Sequence, residues 1–424
     1  MTFKQHMLAS LLITTPLFAN SNLSQSQLDS FTQGTKLVFT AEDNFHNGAS
    51  SLIASMTLTN DSDIALGKGK SDWQIYIHSV RKIHTKSAAG FTIEHINGDL
   101  HRFVPNDDFA GLAVGESIKI EFEAAVWVAA YSDFMPRAFM VSQQNAPAIF
   151  ANTDTEDFKQ YIAPFERENQ LRRYNDPVDK TQLASAELRY ERNLSSVSIT
   201  KEDALKRIIP QPQKVDFNRG SAVLDSTWEL RFAGRLTSEV AVFKDDLADY
   251  GLELESKADH IKASKAPTIY LKVDESLADG AAESYQLEID DDKIEIIGSD
   301  NAGVFYGIQS LLALFPAGSK NTITVPNVEI EDTPRFVWRG MHYDNARNYH
   351  GKDALFKLVE QMARYKLNKF HWHFSDDEGW RVEIPGLPEL TEIGAHRCFD
   401  LEEQRCLLTQ LGTGPFKSGS GNGY

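Results

Sequence analysis

The sequence predicts a multidomain fold: an N-terminal β-sandwich, an α+β middle domain, and the start of a (β/α)8 TIM barrel that is incomplete. Three observations predict it. Short period-2 runs recur from about Leu28 to Gln144, strands mix with helical patterns from about Ser196 to Thr333, and Trp338 to Arg381 reads as strand, loop, helix, strand. The expected boundaries are 1–19 for a signal peptide, 20–157 for the sandwich, 158–195 for a linker, 196–333 for the middle domain and 334–424 for the barrel portion.

At the N-terminus, Lys4 and His6 precede an apolar stretch, Met7 to Ile13, that continues to Leu17-Phe18-Ala19. Thr14, Thr15 and Pro16 break it, so it is too short to span a bilayer and reads as a secretory signal cleaved near Ala19. The expected location is therefore periplasmic or extracellular. No other segment approaches a membrane span. The formal net charge of -17 argues against nucleic-acid or anionic-membrane partners, which need basic patches.

The sandwich rests on runs such as Thr35–Thr40, Leu52–Leu58, Trp73–His78 and Ser117–Phe122, each alternating apolar and polar residues. Trp73 and Trp127 are either sugar-stacking platforms or core residues; tryptophan in a sandwich is more often core. From Phe158 to Arg192 the chain is polar, with a break at Tyr174-Asn175-Asp176-Pro177, and reads as a linker with some helix. The middle domain follows: strands at Trp228–Phe232 and Thr268–Val273, a hairpin of Tyr285–Ile289 and Lys293–Ile297 across Asp290-Asp291-Asp292, and helices over Ser238–Tyr250 and Ala302–Leu314.

The barrel portion begins with a strand, Phe336 to Tyr343, and a loop carrying Arg347. A helix from Asp353 to Tyr365 presents Leu355, Leu358, Val359 and Met362 as an inward stripe, and Lys369 to Phe374 is the next strand. Arg347 and the acidic run Asp376-Asp377-Glu378 thus follow the ends of successive strands, where barrels keep their chemistry. A guanidinium there suits multidentate binding of hydroxyls, and Asp376 suits orienting a histidine or accepting from a substrate. The acidic run alone reads equally as a solvated turn. His371 and His373 share a strand face, as metal-dependent barrel hydrolases require, but lie before the strand end among apolar neighbours. A hydrogen-bonded interior layer is the expected role. Cys398 and Cys406 fit no zinc or redox spacing; in an exported chain they read as one disulfide, otherwise as two thiols.

The run resembles the family 20 glycoside hydrolases, the β-N-acetylhexosaminidases, and especially their bacterial chitobiase branch. The motifs that carry the resemblance are Arg339-Gly340, Asp344-Asn345-Ala346-Arg347-Asn348, Tyr365 to His371, Ser375 to Arg381, and Ile384 to Glu392. The resemblance implies that Arg347 binds the hydroxyls of the non-reducing sugar, that Asp376 supports a buried active-site histidine that is itself missing from this sequence, and that Cys398 and Cys406 close a loop disulfide. It implies removal of terminal N-acetylhexosamine from chitin oligosaccharides with retention at the anomeric carbon. The 2-acetamido group attacks, so neither a protein nucleophile nor a metal or cofactor is implied. It also implies an adjacent Asp-Glu pair after the fourth barrel strand, which falls beyond Tyr424; Asp377-Glu378 follows the second strand and is no substitute. The expectation is therefore no useful turnover by residues 1–424 alone and a weakly held segment over 334–424. Two alternatives stand beside this reading: a secreted carbohydrate-binding protein with a vestigial catalytic domain, and a metal-dependent hydrolase using His371 and His373.

Overall fold

A computed structural model describes residues 22–48, 51–128, 130–143, 145–172, 186–194, 199–200, 203–204, 206–258 and 265–418. The signal-peptide expectation at 1–19 lies outside them. The chain forms two compact units, one of Met1–Arg189, Asp344–His350 and His373–Tyr424, the other of Tyr190–Tyr343 and Gly351–Trp372.

The first unit is built on two antiparallel sheets. One orders Thr35–Asp43, Ser51–Asn60 and Ser117–Ala125; the other orders Ser87–Ala88, Phe91–Asn97, Leu100–Pro105, Trp73–His78, Phe139–Ser142 and Ala148–Ile149. Alternation along each strand sends Leu37, Phe39, Met56, Ile75, Phe103, Ile120 and Phe122 into one core. The unit opens on a helix, Gln25–Gly34, where strand-like runs are expected from Leu28 onward. Ser24 and Gln27 cap it reciprocally, and Leu28 and Phe31 face the core at helical spacing. Trp73 is 2% exposed and packs edge-on against Phe91 and Phe109, so it is core and no sugar platform; Trp127 is half-buried.

The expected linker at 158–195 is part of this unit at its start. Tyr161 and Ile162 are buried in the sandwich core; the Phe39 N–H donates to the Tyr161 carbonyl, and the Ala163 N–H donates to the Phe39 carbonyl. Apolar residues spaced among charges made that contribution hard to see locally. A helix, Ala186–Asn193, follows.

Strand Trp73–His78 is buried on both faces. Trp73, Ile75 and Ile77 face the inter-sheet core, while Tyr76 joins Leu100, Phe139 and Leu408 in a second cluster, with Phe399 edge-on to Tyr76 and Phe139 at 4.9 and 5.5 Å. The covering segment is closed by the disulfide Cys398–Cys406 and pairs Arg397–Cys398 in parallel with Leu407–Leu408. Residues 396–411, inside the segment expected to be weakly held, cover a sheet face with the apolar side chains of Phe399 and Leu408.

The second unit carries a seven-stranded mixed sheet ordered Lys214–Leu224, Ile323–Asp332, Tyr285–Ile289, Lys293–Gly298, Thr268–Val273, Glu229–Phe232, Glu255–Ala258. Helices Thr237–Asp249 and Asn301–Ala313 bury Val240, Phe243, Leu247, Val304, Ile308 and Leu311 with the sheet. Asp300 caps the second helix, and Gly307 lets it approach the sheet; a Cβ there would lie 2.4 Å from Ile296. Lys366, at positive φ, buries its ammonium against the Tyr285 and Ser310 hydroxyls at 2.9 and 2.8 Å, with Asp332 at 3.5 Å. Arg339 holds the Lys366 carbonyl, Glu283 and the Tyr306 hydroxyl.

Beyond this core the chain is open. The strand expected over Phe336–Tyr343 is Gly340–Asp344, and Phe336, Val337 and Trp338 are exposed. It pairs with Lys369–His373 in a two-stranded sheet. Helix Lys352–Arg364 buries Met362, leaves Leu355 and Leu358 half-covered, and exposes Val359. His371, expected in an interior layer, is exposed, its ring 4.7 Å from that of His342. Among the described residues no further strand pairs with this sheet, so its side chains have no layer to enter.

Candidate functional site

Arg347 stands in the loop after Gly340–Asp344, within the first unit. The Asp344 side chain shapes that loop by accepting the Arg347 backbone N–H at 3.1 Å and its Nη1 at 2.6 Å. Asp376 approaches Nη2 at 2.6 Å, and Glu378 lies 3.5 Å from Nε. Three carboxylates therefore fix one guanidinium, whose side chain remains 45% exposed and able to meet a ligand.

Asp376 follows strand Lys369–His373 and begins a hairpin in which Ser375–Asp376 pairs with Gly379–Trp380. Asp377 and Glu378 form its turn; Asp377 is exposed and Glu378 half-buried. The Asp376 Oδ2 also meets His373 Nε2 at 2.9 Å, and its Oδ1 accepts the Asp377 N–H at 2.8 Å. That backbone donation, with the His373 contact, holds the Asp376 carboxyl below its ordinary range. Burial pushes Asp344 up, but the hydrogen bonds and charge of Arg347 outweigh it and leave Asp344 low as well. Glu378 goes the other way: burial raises it despite Arg347. The hydrogen bond to Asp344 leads the effects that strengthen the hold of Arg347 on its proton.

The structure thus brings Arg347, Asp376 and His373 together. His371 belongs to the other unit, and among the described residues no group of three or more His, Cys, Asp or Glu is placed to hold a metal ion. A cleft of about 560 Å³ adjoins the loop, lined by Arg347, Tyr349, His350, Arg137, Tyr161 and Gly412. Its size lies in the small-ligand range of ~300–1,000 Å³.

Two residues at the site had no role in the sequence reading. Arg381 lies 4% exposed and donates to the Asn345 and Ala346 carbonyls; Arg397 lies 0% exposed and donates to the Arg347 carbonyl. Arg381 stands in the quoted motif, yet the Asn345 and Ala346 carbonyls lie 36 and 35 positions away, and only the fold reveals them. Cys398 and Cys406 are joined, as the resemblance implies.

Three family models match the chain in succession: "Putative carbohydrate binding domain" over residues 32–187, glycosyl hydrolase family 20, domain 2 over 206–333, and the glycosyl hydrolase family 20 catalytic domain over 336–416. The chain is similar to the N,N'-diacetylchitobiase of Vibrio harveyi, 36% identical over 370 residues, which cover 87% of this chain and 40% of that protein. It is similar to a beta-hexosaminidase of Vibrio vulnificus, 34% identical over 359 residues, covering 83% of this chain and 41% of that protein. Among solved structures, a GH20 exo beta-N-acetylglucosaminidase from Vibrio harveyi in complex with N-acetylglucosamine shares the fold, with a TM-score of 0.68 at 23% identity over 92% of this chain and 53% of that chain. The chain spans about two fifths of the length of these curated relatives.

Proposed function

We propose that this chain, which belongs to the family 20 glycoside hydrolases through the three domains it carries in succession, provides the sugar-binding part of a β-N-acetylhexosaminidase acting on chitin oligosaccharides. The observation that carries the reading is the Arg347 guanidinium, fixed by Asp344, Asp376 and Glu378 beside an open cleft. A planar donor group set this way matches vicinal hydroxyls of a terminal sugar. Asp376 Oδ2 meets His373 Nε2, and the Asp376 carboxyl is held below its ordinary range. In the proposed reaction the sugar's own acetamide attacks with retention, so the chain's residues bind and orient. No residue of this sequence is assigned as proton donor to the leaving oxygen; the roles proposed for its side chains are to bind and orient the sugar.

The disulfide Cys398–Cys406 supports an exported protein, periplasmic or extracellular, because such bonds persist in oxidising compartments. No helix among the described residues is long and apolar enough to cross a membrane.

Calorimetric titration of N-acetylglucosamine into the chain tests the proposal. Saturable binding that the Arg347→Ala variant loses is expected. Absence of binding, or equal affinity in the variant, would sink it.

A further inference from the structure

We infer that Arg381 and Arg397 are positioning residues: together they hold three successive carbonyl oxygens of the loop that presents Arg347, and thereby set its guanidinium for sugar. The inference rests on the proposed role of Arg347.

The contacts are specific. Arg381 Nε donates to the Asn345 carbonyl at 3.1 Å and its Nη2 to the Ala346 carbonyl at 2.9 Å, while Arg397 Nη2 donates to the Arg347 carbonyl at 2.9 Å. Arg381 also donates to the Ala395 carbonyl and lies 5.4 Å over the Tyr349 ring. A planar guanidinium can serve several carbonyls at fixed relative angles, which an ammonium cannot. Fixing consecutive carbonyls fixes the peptide planes on either side of the Arg347 Cα, and so the direction in which its side chain leaves.

The electrostatics argue that this is more than packing. Both guanidiniums are buried, and burial weakens the hold of each on its proton; Arg397 falls to about 10, with the charge of Arg381 adding to the effect. Burying two like charges costs more than burying apolar side chains of the same volume would. Glu378, which faces both Arg347 and Arg397, offsets part of that cost.

Arg397 is itself held from outside the site. It precedes Cys398 in the strand pair that the disulfide closes, Phe399 docks on Tyr76 and Phe139, and the Leu411 N–H donates to Asp99 Oδ2 at 2.7 Å. The sandwich thus reaches the Arg347 loop through a continuous series of covalent, packed and hydrogen-bonded links. Gly379 leaves the room that Arg381 needs, since a Cβ there would lie 2.6 Å from Nη2 and 3.0 Å from the Ala346 carbonyl oxygen.

The test uses the full chain and compares Arg381→Lys, Arg397→Lys, Gly379→Ala and Arg347→Ala, with Arg397→Lys also combined with Arg347→Ala. Amide exchange is read at Asn345 and Arg347, whose N–H groups bond the His373 carbonyl and Asp344. Each of the first three variants is expected to speed that exchange by about tenfold or more while leaving strand Ser117–Ala125 unchanged. Each is also expected to weaken N-acetylglucosamine binding by roughly tenfold. Added to Arg347→Ala, Arg397→Lys should weaken binding no further, because it acts through Arg347. Gly379→Ala keeps both charges, so it reports even if a lysine variant fails to fold. Unchanged exchange at both amides in folded variants, or fully additive losses of affinity, would overturn the inference. Faster exchange with sugar affinity indifferent to Arg347→Ala would uphold the hold on the loop and remove the sugar role of Arg347 instead.

Discussion

Arg347 commits its donors to three carboxylates, two of them at 2.6 Å, and still leaves nearly half its side chain open. A sugar hydroxyl arriving there meets a preset donor plane. Arg347→Lys keeps the charge but loses the fork, so its affinity for N-acetylglucosamine should fall by roughly tenfold or more in a titration; retention of affinity would mean that charge alone suffices. A second residue bears on acid stability. Burial pushes His101 down to about 4 from 6.5, while its ring nitrogens meet the Asp99 carbonyl and the Ile83 N–H, and His95, His78 and the Asp99 carboxylate surround it. Between those pH values the unfolded chain binds a proton that the folded chain refuses. Stability is therefore expected to fall as pH drops from 6.5 toward 4, with no contribution from this group above that window. Thermal midpoints measured across the window should slope less for a folded His101→Gln variant, and an unchanged slope would count against the assignment.

The elements differ in how firmly their neighbours hold them. The disulfide loop over 396–411 has a sheet face beneath it and closes a separation of 8 residues. Replacing Cys398 and Cys406 by serine should cost about 2–3 kcal/mol in urea unfolding; a loss below a few tenths would mean that docking of Phe399 and Leu408 alone holds the loop. Helix Lys352–Arg364 is the opposite case. It was legible from Leu355, Leu358, Val359 and Met362, yet it buries only Met362 of the four, because the stripe lacks a facing layer among the described residues. Its amides, and those of Gly340–Asp344, are expected to exchange faster than those of Tyr285–Ile289, a strand paired on both sides. Uniformly slow exchange over 340–374 would refute this. The hairpin Tyr285–Ile289 and Lys293–Gly298 was legible almost to the residue, since alternation and an acidic turn are local signals.

For the molecule as a whole, incubation with a chromogenic N-acetylglucosaminide separates binding from turnover: release of aglycone that Glu378→Gln abolishes would identify Glu378, whose pKa burial raises beside Arg347, as an acid, and release that this variant leaves unchanged would exclude it from that role. The sequence by itself determined the domain order, most strands and helices, and the identity of Arg347 and Asp376 as site candidates. Those rest on periodicity, turn chemistry and contiguous motifs, all of which are short-range. Only the tertiary structure decided that Trp73 is core, that Tyr161 and Ile162 belong to the sandwich, and that residues 396–411 cover its second face. It alone placed His373 on Asp376 and gathered Arg381 and Arg397 onto the carbonyls of the Arg347 loop. The reason is physical: burial and hydrogen bonding between residues that lie 36 and 312 positions apart follow from how the chain packs, and no local pattern encodes which distant backbone group a buried guanidinium will find.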